Sequence, residues 1–278
     1  MKIERASASL RSITRLFSAA ALFVLASAGG CRAAFIELAA GARSAALAGA
    51  QTAACGRADA LFCNPAGIWR PGGSDLVLFH TRPFGLADVS RITLSAGLAA
   101  GGMTLGLAHA RLSRFPYVET ETAVSVALPC AGFAVLGAAV RRAAVRITGY
   151  GAAESIPLDL GCVLFRDKRV SLGFCRRNAL GARIGREPLP GFFHCGARLE
   201  PVTGARLFFD IAGRFADSRF GAEMEAGSGL VLRFGAAHAP SRITAGFALS
   251  LGPLQCEYAF DAHPVLETTH LFAVRMTF

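Results

Sequence analysis

Leu254-Gln255-Cys256-Glu257-Tyr258-Ala259-Phe260-Asp261 is the stretch whose reading decides the fold. Leu254, Cys256, Tyr258 and Phe260 alternate with Gln255, Glu257, Ala259 and Asp261, and a period of two sets the two groups on opposite faces of a β-strand. Upstream the pattern repeats. Leu207, Phe209, Ile211 and Phe215 stand opposite Arg206, Asp210 and Arg214, and Phe220, Ala222 and Met224 stand opposite Glu223 and Glu225. Ile243, Ala245, Phe247, Leu249 and Leu251 form one more apolar face. From residue 75 to the end such runs recur between Gly, Pro, Asp and Ser breaks, which gives about fourteen strands joined by short turns. Their positions are near residues 75, 92, 103, 118, 133, 156, 169, 193, 205, 219, 230, 242, 254 and 268.

Composition says what the apolar faces meet. Hydrophobic residues make up 53% of the chain, mean hydropathy is +0.44 and only 17% of residues are charged, against about 25% in an ordinary soluble globule. Disorder is excluded by the same figures. A soluble β-sandwich also uses alternating strands, but an even ladder of this length, apolar on one face of nearly every strand, fits a surface turned to lipid. The uncharged run from Ala123 to Val140 is long enough for a helical span, yet Pro129-Cys130-Ala131-Gly132 in its middle reads as the turn between two lipid-facing strands. Inside hydrocarbon every backbone N–H and C=O needs a partner, so strands cross only when the sheet closes. The fold class is therefore an all-β transmembrane antiparallel barrel covering 75–278.

Residues 1–28 read as an export signal. Lys2, Arg5, Arg11 and Arg15 precede the apolar run from Leu16 to Ala28, which ends in Ala26-Ser27-Ala28 and is too short to span a bilayer as a helix. Cleavage after Ala28 is one option, cleavage before Cys31 with lipid attachment the other, and residue 34 is the latest bound. Formal charge is +10, and removing four basic groups and one acid with the signal leaves about +7. The excess arginine suits anionic lipid headgroups or acidic ligands, or reflects coding bias; no basic cluster interleaves with aromatics, so nucleic acid is not an expected partner. The eight cysteines show no C-x-x-C, and histidines are scattered without ligand spacing, so no metal, cofactor or catalytic residue is expected. Cys55 and Cys63 are close enough in sequence to pair in an oxidising compartment. No G-x-S-x-G, H-E-x-x-H or phosphate loop occurs, and enzymatic function is not expected.

About fourteen strands enclose a lumen too wide for wall side chains alone to fill. Asp210, Arg214, Glu223, Glu225, Arg233, Glu257, Asp261 and Arg275 fall on the polar faces of neighbouring strands, with signs that can pair inside a barrel. The Ala- and Gly-rich segment 34–70, with its compact turn Asn64-Pro65-Ala66-Gly67, is the expected second filler, a hatch within the lumen.

Ala34-Phe35-Ile36-Glu37-Leu38, Gly41-Ala42-Arg43, Leu47-Ala48-Gly49-Ala50 and Asp59-Ala60-Leu61-Phe62-Cys63-Asn64-Pro65-Ala66-Gly67-Ile68 together resemble the N-terminal signature of the FadL superfamily of bacterial outer-membrane barrels, in particular its PorV/PorQ-like branch. Tyr258-Ala259-Phe260, Thr269-His270 and Val274-Arg275-Met276-Thr277-Phe278 resemble that branch's closing hairpin, and Asn178 and Leu189-Pro190 its middle region. The resemblance implies fourteen strands, a lumenal hatch ending in the Asn-Pro-Ala turn, and a terminal Phe278 read by the barrel assembly machinery. Cys63 stands where an aromatic residue is usual, and the acidic pair often found upstream is reduced to Asp59. The implied activity is uptake of long-chain fatty acids or other hydrophobic small molecules, with release sideways through the wall into the membrane. Phe35, Leu38, Leu47, Leu61 and Phe62 are the candidate contacts for an acyl chain, each buried methylene contributing about 0.8 kcal/mol, and Arg43 and Arg57 the candidates for its carboxylate. The alternative implied by the PorV-like members is a docking or shuttle role in protein secretion, or a structural barrel.

Overall fold

The computed structural model describes residues 34–35, 37–165, 167–213, 217–238 and 241–278. The expected signal, Cys31, Arg214 and Phe215 lie outside the described residues. Seventeen strand segments build one sheet and a small hairpin. In chain order they are β1 (Asp75–Thr81), β2 (Ser90–Ala100), β3 (Met103–Arg114), β4 (Tyr117–Cys130), β5 (Ala134–Ile147), β6 (Gly151–Ser155), β7 (Leu158–Phe165), β8 (Val170–Arg176), β9 (Arg183–Ile184), β10 (Glu187–Pro188), β11 (Phe193–Val202), β12 (Ala205–Ala212), β13 (Asp217–Glu225), β14 (Leu230–His238), β15 (Ser241–Leu251), β16 (Leu254–Ala262) and β17 (Thr269–Thr277). β6 and β7 are two parts of one stave that both pair with β5, and β9–β10 is the separate hairpin, so fourteen staves form the wall. No helix among the described residues is long and apolar enough to cross a membrane.

Each stave runs antiparallel to its neighbours, and β1 pairs with β17 from Asp75↔Thr277 to Thr81↔Leu271, which closes the sheet. Beyond that seam the amides of Ser74 and Phe278 each donate to the other's carbonyl, at 2.8 and 3.0 Å. One end of the barrel carries tight turns such as 101–102, 203–204 and 252–253, while the other carries the longer connections 82–89, 177–192 and 263–268. At 101–102 two consecutive glycines with φ of 57° and 85° supply the positive dihedrals of a hairpin turn whose twist matches the strands. The uncharged run that is long enough for a helix is instead β4 and β5, joined through Ala131 and Gly132 in left-handed conformation.

Side chains follow the alternation read from sequence. Leu254, Tyr258 and Phe260 face outward while Glu257 and Ala259 are buried, and Phe209, Phe220, Phe234, Phe247 and Phe272 are exposed on neighbouring staves. An apolar belt on the outside of a closed sheet is the surface expected of a barrel in hydrocarbon.

The inner surface carries an inward-facing glycine on each of nine strands from β2 to β15, and residues 37–70 lie against them. A Cβ on Gly137 would overlap the Ala66 amide nitrogen, one on Gly173 the Thr52 carbonyl, and one on Gly235 would sit 2.6 Å from the Ala48 nitrogen. Backbone meets backbone here, which only glycine permits. Gly137→Ala is expected to lower the unfolding free energy in detergent by about 1–3 kcal/mol, because the clash is with main chain rather than a movable side chain; an unchanged urea midpoint would contradict this close packing.

Candidate functional site

Small residues let the segment 37–70 fold tightly. Its regular pieces are a short helix, α1 (Ala42–Ala46), and two 3-10 turns at Ala58–Phe62 and Pro65–Ile68. Asn64 caps the second turn: its Oδ1 accepts from the Ala66 amide at 3.0 Å, and its Nδ2 donates to the Thr52 carbonyl at 2.7 Å and to the Cys162 carbonyl on β7 at 3.3 Å. Pro65 at the first helical position has no N–H to satisfy. One side chain thus ties the Asn-Pro-Ala-Gly turn to the segment's own middle and to the wall.

The apolar candidates are buried in separate places. Leu61 and Phe62 pack with Ile68, Val135 and Val163, Leu47 packs with Phe208 and Ala54, and Phe35 packs with Ala143 and Leu189. Leu38 is half-buried beside a cavity of about 40 Å³ that Glu37, Gln51, Cys63, Arg219 and Arg242 also line. That volume is enough for a water or two, against the several hundred Å³ of a small-molecule pocket. Cavities of about 280 and 240 Å³ lie at the turn end of the segment, lined by Arg43, Arg57, Arg198 and Arg206 among others.

Arg43 and Arg57 are both engaged within the protein. Arg57 Nη1 reaches Glu257 at 2.8 Å and its Nε reaches Asp59 at 3.0 Å, while Arg43 Nε reaches Glu223 at 2.8 Å and its guanidinium lies over the Phe208 ring. Arg233 bridges Glu223 and Glu257 at 2.9 and 3.2 Å, and Arg206 joins Glu223 to Glu225 at 3.0 and 2.7 Å. The result is one continuous chain of ion pairs from Asp59 to Glu225. Burial works against the Asp59 charge, but the Arg57 guanidinium holds its carboxyl below the ordinary carboxylate range. Arg275 pairs with Asp75 at 2.9 Å, and Asp75 also accepts from the Ala58 amide at 3.1 Å.

Asp210 differs from the ion-pairing expected of it: its Oδ2 accepts from the amides of Gln51 and Thr52, both at 2.9 Å, and from the Thr52 hydroxyl at 2.6 Å. It caps a turn of the inner segment. Asp261 pairs with Arg242 at 3.0 Å.

A second polar cluster, toward the loop end, was not picked out from sequence. Arg141 binds Asp159 at 2.6 Å and Glu121 at 2.9 Å, Arg177 lies 3.6 Å from Asp159, and Arg219 holds Glu37 at 2.9 Å beside the buried His194. Its signal was available: Arg141 and Arg142 are adjacent, so strand alternation puts one inside and one outside.

Cys55 and Cys63 are free thiols, as are the other described cysteines. Burial pushes both thiols up to about 12, which keeps them protonated and unreactive. Among the described residues no group of His, Cys, Asp and Glu is arranged to hold a metal. Phe278 is exposed at the seam, tied by its backbone alone.

A closed fourteen-stave sheet with an apolar exterior and a polar, filled interior is the architecture of an outer-membrane barrel. No family model matches the chain, and no curated protein matches it. Solved structures do. The CymD monoaromatic hydrocarbon channel superposes with a TM-score of 0.66 at 12% identity, over 86% of this chain and 96% of that one. The Ralstonia pickettii toluene transporter TbuX gives 0.64 at 13%, covering 86% and 98%, and a Pseudomonas aeruginosa FadL homologue gives 0.62 at 10%, covering 88% and 99%. The chain thus shares the fold of FadL-type outer-membrane channels over nearly its whole described length.

Arg57→Ala leaves Asp59 and Glu257 buried without their shared cation and is expected to cost about 3–5 kcal/mol of unfolding free energy. The triple change Arg57→Met, Asp59→Asn, Glu257→Gln is expected to lose clearly less in the same denaturation assay. Asn64→Ala is expected to cost about 1–3 kcal/mol, since it strands the Ala66 amide and the Thr52 carbonyl.

Proposed function

We propose that the protein takes up a hydrophobic small molecule across the outer membrane, with segment 37–70 acting as a hatch and the molecule leaving sideways through the wall. The observation that carries this reading is the stave formed by β6 and β7. It is interrupted at Ile156-Pro157, and β8 pairs with β7 only from Leu160 downward, so among the described residues no barrel strand pairs with the far edge of β6, and the β9–β10 hairpin packs beside it instead. Behind that edge stand Phe35, Ala143 and Leu189, with Ala34, Val145 and Ile184 around them. An apolar lining beside an unpaired edge suits a molecule that prefers lipid to water.

The axial route supports the same conclusion. The cavity next to Leu38 holds about 40 Å³, and the chain of buried ion pairs is a poor path for an apolar solute. The fold is also that of proteins named as channels for monoaromatic hydrocarbons and toluene and of a FadL homologue. The substrate class proposed here includes long-chain fatty acids and small aromatic hydrocarbons, with the Phe35 cluster as its contact surface.

The test is binding of a fluorescent long-chain fatty acid, and its displacement by toluene, to the folded chain in detergent, alongside uptake by cells that express it. Saturable binding is expected, with affinity falling several-fold in Phe35→Ala. A folded barrel that binds neither molecule and does not raise uptake would overturn the proposal.

A further inference from the structure

The largest concavity described is on the outside of the barrel, not within it. A groove of about 430 Å³ runs across β3 to β6 on the loop-end half of the wall, lined by Arg111, Thr120, Arg142, Ala144, Arg146 and Glu154 among others. These six side chains face outward: they fall on the alternate positions opposite the buried Ala110, Glu119, Arg141 and Ala143. Strand register sets them side by side, since Arg111 pairs with Thr120, Thr120 with Ala144 and Ala144 with Glu154, while Arg142 is opposite Thr122 and Arg146 opposite Val118.

Their height on the wall is informative. On the same strands the outward positions just below are Leu105 and Leu107, Val124 and Leu128, and Leu136 and Val140, all exposed. The next outward residue above Val140 on β5 is Arg142, and above Leu107 on β3 come His109 and then Arg111. On β3 and β5 the change from apolar to basic is completed within a residue or two, and on β4 the outward positions above Val124 are Thr122 and Thr120, which is the depth at which a bilayer changes from acyl chain to headgroup. Arginines this far up a wall would ordinarily be balanced by carboxylates. Here Glu154 is the acid in the groove and it is occupied by Arg142, while no ion pair is described for Arg111 or Arg146. Two planar, always-charged side chains are left facing the surrounding membrane at headgroup level, and a guanidinium can hold a phosphate by two parallel hydrogen bonds.

We infer that this groove is a binding site for the phosphate of an anionic lipid of the outer leaflet, held by Arg111 and Arg146 with its acyl chains on the apolar wall beneath. The inference rests on the outer-membrane reading of the barrel with its longer connections turned to the cell exterior, as such barrels place them, and is independent of what the lumen carries. A soluble anion would have no use for the apolar belt directly below, and a protein partner would meet the acyl chains of the membrane there.

The test places the full chain in phosphatidylcholine nanodiscs with or without bisphosphorylated lipid A and reads retained lipid by native mass spectrometry and protection by the thermal midpoint. Wild type is expected to retain the phosphorylated lipid at least tenfold better than Arg111→Gln/Arg146→Gln, and to show no preference for the dephosphorylated lipid over phosphatidylcholine. Glu154→Gln, which releases Arg142, is expected to strengthen retention. Because the side chains are outward and exposed, folding of each variant is checked by its heat-modifiable gel mobility, which also reports whether the barrel assembles at all. Equal retention by wild type and the double variant, equal retention of the dephosphorylated lipid, or equally tight binding of inorganic phosphate alone would overturn the assignment.

Discussion

The closing pair between β1 and β17 is the constraint on which everything else depends. In water an unpaired strand edge is a liability; in hydrocarbon each unsatisfied N–H or C=O costs several kcal/mol, and a sheet with two free edges could not remain there. Joining the first strand to the last removes both edges along nearly the full length of the seam. Closure in turn fixes the alternation, because each side chain must then face either lipid or lumen. It also creates an interior that the side chains of fourteen staves cannot fill by themselves, and residues 37–70 lie against its inner wall.

The interior is filled in an unusual currency of charge and backbone rather than bulk. Ion pairs connect Arg43, Arg57 and Asp59 to carboxylates and arginines on β13, β14 and β16. Each such pair carries a desolvation penalty that its attraction does little more than offset, so the network is better understood as fixing position than as adding stability. Registration of the segment follows from that: Glu223 and Glu257 accept from the segment and from Arg233 together, so moving one partner leaves another buried charge alone.

Much of this was legible in the sequence because a period of two is a direct readout of a wall with unlike sides. The alternation from Leu254 to Asp261 gave both the strand and its inward face, and the Asn-Pro-Ala-Gly turn could be located from residue chemistry alone. What escaped lay outside the clearest alternating runs. Alternation puts Arg141 and Arg142 on opposite faces, but which of the two is inward follows only from the register of β5. Sequence starts a strand near residue 156, where the structure has the interruption between β6 and β7, because proline at a strand start and proline at a strand break look alike from sequence. Leu47, Leu61 and Phe35 sit in different clusters since the segment winds without a repeat, and no spacing rule predicts which wall residue each one meets.

The glycine-lined inner wall bears on how the lumen could ever open. Side chains that block a passage yield individually, by rotamer changes on picosecond to nanosecond timescales. Main chain apposed to main chain has no such independent parts. With Ala66, Thr52 and Ala48 pressed against Gly137, Gly173 and Gly235, displacement of the segment is a sliding of one surface over another, and the relevant clock is that of collective motion in microseconds or longer. Permeation along the axis would be governed by that rare, concerted slip rather than by the turning of single side chains.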